Sequence, residues 1–525
     1  MTSPEPPRRG AATLVAVGIL ASRLAGLVRQ RVLAHFLGLS DAADAFSGAF
    51  RIPNLLQNLF GEGVLSASFI PVYARLEAEG RHEEARRVAG AVAGLLGCLV
   101  AVVVAVGVTA SPWLVHVLVP GFEGPKQELA ERLVRILFPG AGFLVLSAWC
   151  LGILNSHRRF FLSYAAPVVW NAAILAAVLL PPAGVDQDTL VRWAAWGAVA
   201  GGLLQFLIQV PTILRLTGGV PLGLGRGDPN VRVVRGNFFS ALFGRGVVQI
   251  SAFIDAILAS FLGRGAVAAL GNAQMLYTLP ISLFGMSVAA AELPALSADA
   301  GAGTDAHRAM RERLERAMPR VAYFIVPSAV ALAGLGHVLA GAVFQTGAFT
   351  ASDARYVWGI LAGSATGLLA GTLGRLYSSA WYALHDTRTP LKYAIVRVGI
   401  TTVLGLLAAL VLPGLLGLDE KWGTAGLTAS AGVAGWVEFF LLRRGLDGRI
   451  GVTRLPPGLL PRLWGAALAG CAASWGVLLI VGDKVGPVLT AAMVLLPFGL
   501  VYLGGTVLLN VPLAREVTRR FLAPK

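Results

Sequence analysis

The sequence predicts an all-α integral membrane protein with about fourteen transmembrane helices. Three observations carry this. The 525-residue chain is 56% hydrophobic and only 14% charged, with a mean hydropathy of +0.71, well outside the range of soluble domains. Its apolar windows are long enough to cross a bilayer at about 20 residues each. Arginine recurs in alternate connections between them, the pattern of the positive-inside rule.

The windows lie near 10–37, 41–73, 86–118, 130–156, 160–182, 189–214, 233–263, 265–297, 319–345, 354–384, 390–414, 423–442, 460–482 and 486–511. The first follows the charged start Pro6-Pro7-Arg8-Arg9, and no small-residue cleavage site precedes Arg23, so it reads as an uncleaved helix. Several windows contain proline, including Pro53, Pro139, Pro167, Pro280 and Pro327. Kinked helices are tolerated where neighbours or cavity water satisfy the freed carbonyls, as in transporters. Many of the 64 glycines fit ordinary close helix packing equally well.

Arginine-rich connections include Arg75, Arg81, Arg86 and Arg87, then Arg158 and Arg159, then Arg215, Arg226, Arg232 and Arg235. The series continues with Arg308–Arg320, with Arg388 and Lys392, and with Arg443–Arg462, while 39–43 and 181–189 hold no cation. Both termini are therefore expected in the cytoplasm, which requires an even helix count. The net charge of +15 is a topology signal. Nucleic-acid binding is excluded as its cause, because no connection is long enough to form a soluble basic domain. Cys98, Cys150 and Cys471 all fall inside apolar windows, which indicates neither a disulfide framework nor a metal site.

The polar residues inside the windows carry the functional argument. The first window holds Arg23, Arg29 and Arg31; the second holds Asp41, Asp44, Arg51, Asn54, Gln57, Asn58 and Glu62. An arginine at a helix centre costs roughly 2.5–3.5 kcal/mol to insert, so each needs water, a partner or an anionic ligand. A cavity for an acidic substrate is the sharpest of these readings. Arg31, Asp41 and Asp44 also read as interface residues that snorkel. Further along stand Arg245 and Asp255, then Asn272, Gln274 and Glu292, then Arg375, Asp386 and Arg397, with Glu438 in the twelfth window. Arg375 and Glu438 fit a structural ion pair as well as a substrate role. The last two windows are almost uncharged. The seven histidines are scattered and no carboxylate pair sits at an interface, so no enzyme is expected.

Ser22-Arg23-Leu24-Ala25-Gly26-Leu27-Val28-Arg29, Asp44-Ala45-Phe46 and Phe50-Arg51-Ile52-Pro53-Asn54 resemble the opening of the MurJ/MviN family of lipid II flippases. Phe60-Gly61-Glu62-Gly63-Val64-Leu65-Ser66 through Tyr73 is the most specific match. Gly152-Ile153-Leu154-Asn155, Gln249-Ile250-Ser251, Phe344-Gln345-Thr346-Gly347 and Asp386-Thr387-Arg388-Thr389-Pro390 follow in family order. The resemblance implies a multidrug/oligosaccharidyl-lipid/polysaccharide exporter fold, with two six-helix lobes around a central cavity and two C-terminal helices forming a groove for a polyprenyl tail. The lobes would be 1–218 and 219–445, with 446–525 holding the last two helices and a basic tail.

The implied function is a monomeric lipid II flippase of the cytoplasmic (inner) membrane, working by alternating access among membrane lipids. The alternative is an exporter of a drug or of another polyprenyl-pyrophosphate-linked saccharide. Arg23, Arg29, Arg51, Asn54, Glu62 and Arg245 are the expected substrate residues. Guanidinium suits the task because it binds phosphate bidentately and stays charged. The chain departs from the family pattern at Gln57-Asn58 and at Gln274-Met275, where cavity cations are usual, and gains Arg245. By the same resemblance, Asp255, Asp386, Thr402 and the carbonyl of Val398 would form a sodium site, with Tyr382 where relatives have Asn. A cap on the loop before Thr389-Pro390 is the alternative role for Asp386.

Overall fold

The computed structural model describes residues 9–60, 62–182, 184–286 and 304–515, with Val288, Glu292 and Leu296 between the last two segments. Among the described residues there is no β-strand, only an isolated bridge between Thr346 and Phe349. The chain divides into two compact units, residues 1–260 and 261–525.

Unit 1 opens with α1 (Arg9–Leu37), α2 (Asp41–Phe60), α3 (Glu62–Ser68) and α4 (Ile70–Ala78). It continues with α5 (His82–Thr109), α6 (Ser111–Leu118), α7 (Gly124–Ser156), α8 (Phe160–Leu179), α9 (Gln187–Leu207), α10 (Val210–Thr217) and α11 (Pro229–Ser260). α7 is the buried centre: it packs on α2, α9 and α5, and Leu133, Leu137, Leu144 and Ile153 on it are fully buried. α8 lies between α1 and α9. Small residues let these helices close up. A methyl on Gly18 of α1 would stand 2.9 Å from Cβ of Tyr164 on α8, and one on Gly197 of α9 would stand 2.4 Å from Cβ of Ala177. Removing the side chain where backbones approach is the usual device of membrane helix packing, which cannot draw on the hydrophobic effect.

Unit 2 contains α12 (Ala266–Pro280), α13 (Thr304–Phe344), α14 (Ala351–Ala365), α15 (Leu368–Ala383) and α16 (Arg388–Leu406). A π-helical turn, Leu407–Val411, leads from α16 into α17 (Leu412–Leu416). There follow α18 (Gly423–Ile450), α19 (Leu459–Val481) and α20 (Pro487–Leu508). α14 and α15 form one span bent by 45°. The capping box of Thr350 and Asp353 starts α14, satisfying two of its orphan amides reciprocally. α19 and α20 pack on each other and on α13. Trp475 donates its indole N–H to the carbonyl of Gly334, and Tyr502 donates its hydroxyl to the carbonyl of Tyr323. Outward, the last two helices expose Leu479, Ile480, Leu496, Leu500 and Leu508, as their almost uncharged sequence leads one to expect.

Ten described helices, or eleven with the bent α14–α15 pair, are long and apolar enough to cross a membrane. The remaining windows, near 10–37, 41–73 and 233–263, are also helical, as α1, as α2 to α4 and as α11. They hold Arg23, Arg29, Arg31, Arg51, Arg245 and Asp255. This is consistent with the fourteen read from the sequence. Within unit 1, α11 packs on α3, α2 and α5. The helices of the segment 446–525 lie within unit 2.

Candidate cationic substrate site

Arg29 is the residue around which unit 1 builds a site. It points from α1 towards α2 and α8, where its guanidinium carbon stands 5.1 Å from the Phe50 ring centroid and 5.4 Å from that of Trp170. Those two rings stack on each other, 5.3 Å apart and 15° from parallel, and Phe46 lies 5.1 Å beyond Phe50. Trp170 is itself fixed, donating its indole N–H to the carbonyl of Ala198 on α9 at 3.0 Å. Three helices therefore hold one flat cation. A guanidinium is weakly hydrated and rests on aromatic faces at little desolvation cost. Its guanidinium carbon is thus within cation–π range of both rings.

The N–H groups of that guanidinium are not all satisfied by the chain. Arg29 Nε is buried and has no hydrogen-bond partner among the described residues. On the adjoining α8, Asn171 gives its amide N–H to the carbonyl of Pro167, while its buried Oδ1 has no partner. Gly26 of α1 sits against that same oxygen. A buried polar group without a partner costs about 1–3 kcal/mol. Several orphaned atoms on one seam mark a place where a polar ligand or water completes the bonding.

The other expected substrate residues are distributed around this seam less uniformly. Arg23 is exposed on α1, six residues or about 9 Å before Arg29 along the axis and on a different face. Arg51 is half-buried on α2 directly after Phe50, and Asn54 is exposed one turn later. The side chains of Glu62 and Arg245 lie outside the described ones.

Asp44 corrects the expectation that it snorkels at the outer interface, whereas Asp41 is exposed. Asp44 is completely buried; its Oδ2 accepts from Nζ of Lys126 at 2.6 Å, and Asp41 stands 3.2 Å from the same ammonium. Lys126 in turn lies 4.4 Å from the Phe122 ring centroid. A buried carboxylate is stable only when paired and hydrogen-bonded. The pairing was hidden in the sequence because Lys126 sits 82 residues away in what reads as a sparse connecting segment. The ring clamp on Arg29 was hidden for a similar reason: Phe50 and Trp170 look like ordinary core aromatics.

In unit 2, two of the proposed sodium ligands, Asp386 and Thr402, lie far apart. Asp386 accepts the backbone amide and the hydroxyl of Thr389, each at 2.9 Å, and the Nη2 of Arg449 at 2.9 Å. The amide of Thr389 holds its carboxyl below the usual carboxylate range, helped by the Thr389 hydroxyl and the Arg449 charge. It is thus the cap before Pro390, the alternative role. Thr402 instead donates its hydroxyl to the Val398 carbonyl at 2.8 Å within α16. Thr389 and Thr402 are thirteen residues apart in one continuous helix, about 20 Å at 1.5 Å per residue. Oxygens bound to one such cation at roughly 2.3–2.6 Å cannot be so far apart. Asp386 and Thr402 therefore do not share an ion in this conformation. Among the described residues no group of three or more His, Cys, Asp or Glu is placed to hold a metal. Glu438 pairs with Arg397 at 3.4 Å, where the sequence suggested Arg375. Glu292 stands 3.5 Å from Arg313.

The fold is that of a multi-helix membrane transporter. It overlays a solved inward-facing multidrug resistance MATE family transporter of the MOP superfamily with a TM-score of 0.65 at 18% identity, covering 83% of this chain and 98% of that one. It overlays the solved "Lipid II flippase MurJ, inward closed conformation" at 0.77 and 22% identity, covering 97% and 100%. The chain belongs to the lipid II flippase MurJ family, whose model matches residues 33–485. It is 34% identical to the lipid II flippase MurJ of Burkholderia cenocepacia over 86% of each chain. It is 32% identical to the probable lipid II flippase MurJ of Vibrio cholerae over 87% of this chain and 86% of that one.

Proposed function

We propose that the chain is a lipid II flippase of the cytoplasmic membrane, with both termini in the cytoplasm, and that Arg29 receives the anionic head group. Family membership supports the substrate. The observation that carries the role of Arg29 is its guanidinium, within cation–π distance of Phe50 and Trp170 with Nε buried and unpartnered. The head group of lipid II is bulky and carries a pyrophosphate, so it needs fixed cationic donors in a place that hydrocarbon cannot supply. A planar fork is suited to two oxygens of one phosphate. Arg23 and Arg51, on the same pair of helices, add positive potential along its path. The almost uncharged α19 and α20 offer a lipid-like surface for a polyprenyl tail, so only the polar head has to cross.

The protein makes and breaks no covalent bond in this reading; its work is differential binding of one head group in two states. The exporter of a drug or of another lipid-linked saccharide is less favoured, because the matched relatives are lipid II flippases over most of their length. The test is complementation of cells depleted of their own flippase, with lipid II translocation followed directly. Arg29→Ala should abolish growth and translocation at normal membrane abundance. Full complementation by Arg29→Ala would overturn the role of Arg29, and failure of the wild-type chain to translocate lipid II would overturn the function.

A further inference from the structure

A cationic cavity lies away from Arg29, at the ends of three spans of unit 1. It has a volume of about 500 Å3 and is lined by Arg158, Arg159, Phe161, Thr212, Arg215 and Leu216, among others. α7 ends at Ser156, α8 begins at Phe160 and α10 ends at Thr217, so the cavity sits where these helices leave the apolar layer. We propose that it binds the phosphate head group of an anionic membrane phospholipid, a ligand distinct from the transported substrate.

The charge is uncompensated. Among the described residues Arg158, Arg159 and Arg215 form no ion pair and no side-chain hydrogen bond. The connection from α4 to α5, on the same side of unit 1 by the arginine pattern, behaves differently. There Arg81 meets Glu79 at 2.9 Å and Glu84 at 2.6 Å, and Arg86 meets Glu83 at 2.9 Å. Topology requires cations in both places but does not require that one set lack carboxylates. Three bare guanidiniums around one cavity repel each other unless an anion joins them.

The backbone supports the same reading. Arg158 has a φ of +58°, a left-handed conformation that residues with a Cβ disfavour. The turn is closed by Arg158 N–H to the carbonyl of Asn155 and Arg159 N–H to the carbonyl of Leu154. Glycine would serve such a turn more cheaply, yet an arginine stands there. Its neighbour Phe161 is 50% exposed beside the cations. A free phosphate makes no use of an apolar wall, whereas the glycerol and upper acyl carbons of a lipid do. Basic pockets between membrane helices on the cytoplasmic side recognise lipid head groups by this combination. The placement on the cytoplasmic leaflet rests on the topology proposed above; the cavity and its charge do not.

The experiment uses the full-length protein purified in detergent, with lipid retention read by native mass spectrometry and stability by thermal melting. The probes are phosphatidylglycerol, phosphatidylcholine and inorganic phosphate. Phosphatidylglycerol should be retained and should raise the melting temperature, and the other two should not. Affinity for it should fall about fivefold for each arginine removed in Arg158→Gly, Arg159→Gln and Arg215→Gln. Arg158→Gly is informative on its own, because it suits the left-handed backbone and so preserves or improves folding while removing one cation. Lipid II translocation by the triple variant in phosphatidylcholine vesicles should equal that of the wild type there, which separates this site from the transport site. Equal retention of phosphatidylcholine, an equal melting shift with inorganic phosphate, or undiminished phosphatidylglycerol binding by the triple variant would each overturn the proposal.

Discussion

At the scale of single residues, Arg29 and Asp386 show how context turns a charged side chain into a tool. Arg29 lies in a helix whose sequence only says that a cation is present at a cost. The rings of Phe50 and Trp170 decide its direction. If Trp170 positions Arg29, Trp170→Phe should retain translocation and Trp170→Leu should lose about tenfold, the value of a partly desolvated cation–π contact. Arg29→Lys keeps the charge but not the planar fork, and is expected to fail in complementation as Arg29→Ala does. A lysine variant with wild-type flux would show that a point charge suffices. Asp386 supports stability in a pH-dependent way. Its folded-state pKa is depressed, so its contribution is complete above the unfolded carboxylate value and is lost as pH falls through the folded one. Asp386→Asn should lower stability by about 1 kcal/mol, as for a lost helix cap. In melting curves the gap to wild type should be constant from pH 6 to 8 and should close below about pH 4. A gap that widens with acid would contradict the assignment.

Among the elements, the seam of α1, α8 and α9 matters most, because it carries the Arg29 clamp. Its closeness depends on Gly18 and Gly197, which meet the neighbouring helix where a Cβ would clash. Gly18→Ala should destabilise the protein in detergent by about 1–3 kcal/mol through overpacking. Gly97→Ala on α5, where a methyl would meet nothing within 4 Å, should be neutral or slightly stabilising. Equal melting temperatures for the two variants would mean that the seam is looser than these contacts show. Helix positions were legible from apolar length alone, since a bilayer demands about 20 residues per span. Which glycines lie at contacts was not legible, because glycine at a close crossing and glycine facing open space look alike in one sequence.

Across the whole molecule, the arginine distribution makes a testable statement about orientation. Single cysteines at Arg81 and at Asp186, both exposed in connections of opposite charge character, should react differently with a membrane-impermeant maleimide applied to intact cells. Asp186→Cys should label and Arg81→Cys should label only after lysis. The reverse pattern would invert the topology and move the Arg158 cavity to the outer face. The compact units divide after Ser260. Helix α11 packs on α3, α2 and α5 within unit 1.

The sequence by itself determined the class, the approximate number of spans, the family and the presence of costly intramembrane cations. These follow from composition, from apolar length and from local motifs, all of which act over a few tens of residues. Tertiary structure alone decided which polar groups meet. It joined Asp44 to Lys126 and Trp170 to Arg29, and gathered Arg158, Arg159 and Arg215 around one cavity. Electrostatic and hydrogen-bonded contacts act over a few ångströms, and partners at that range can be 80 or more residues apart in the chain. Periodicity and charge count carry no record of such pairs; helix packing does.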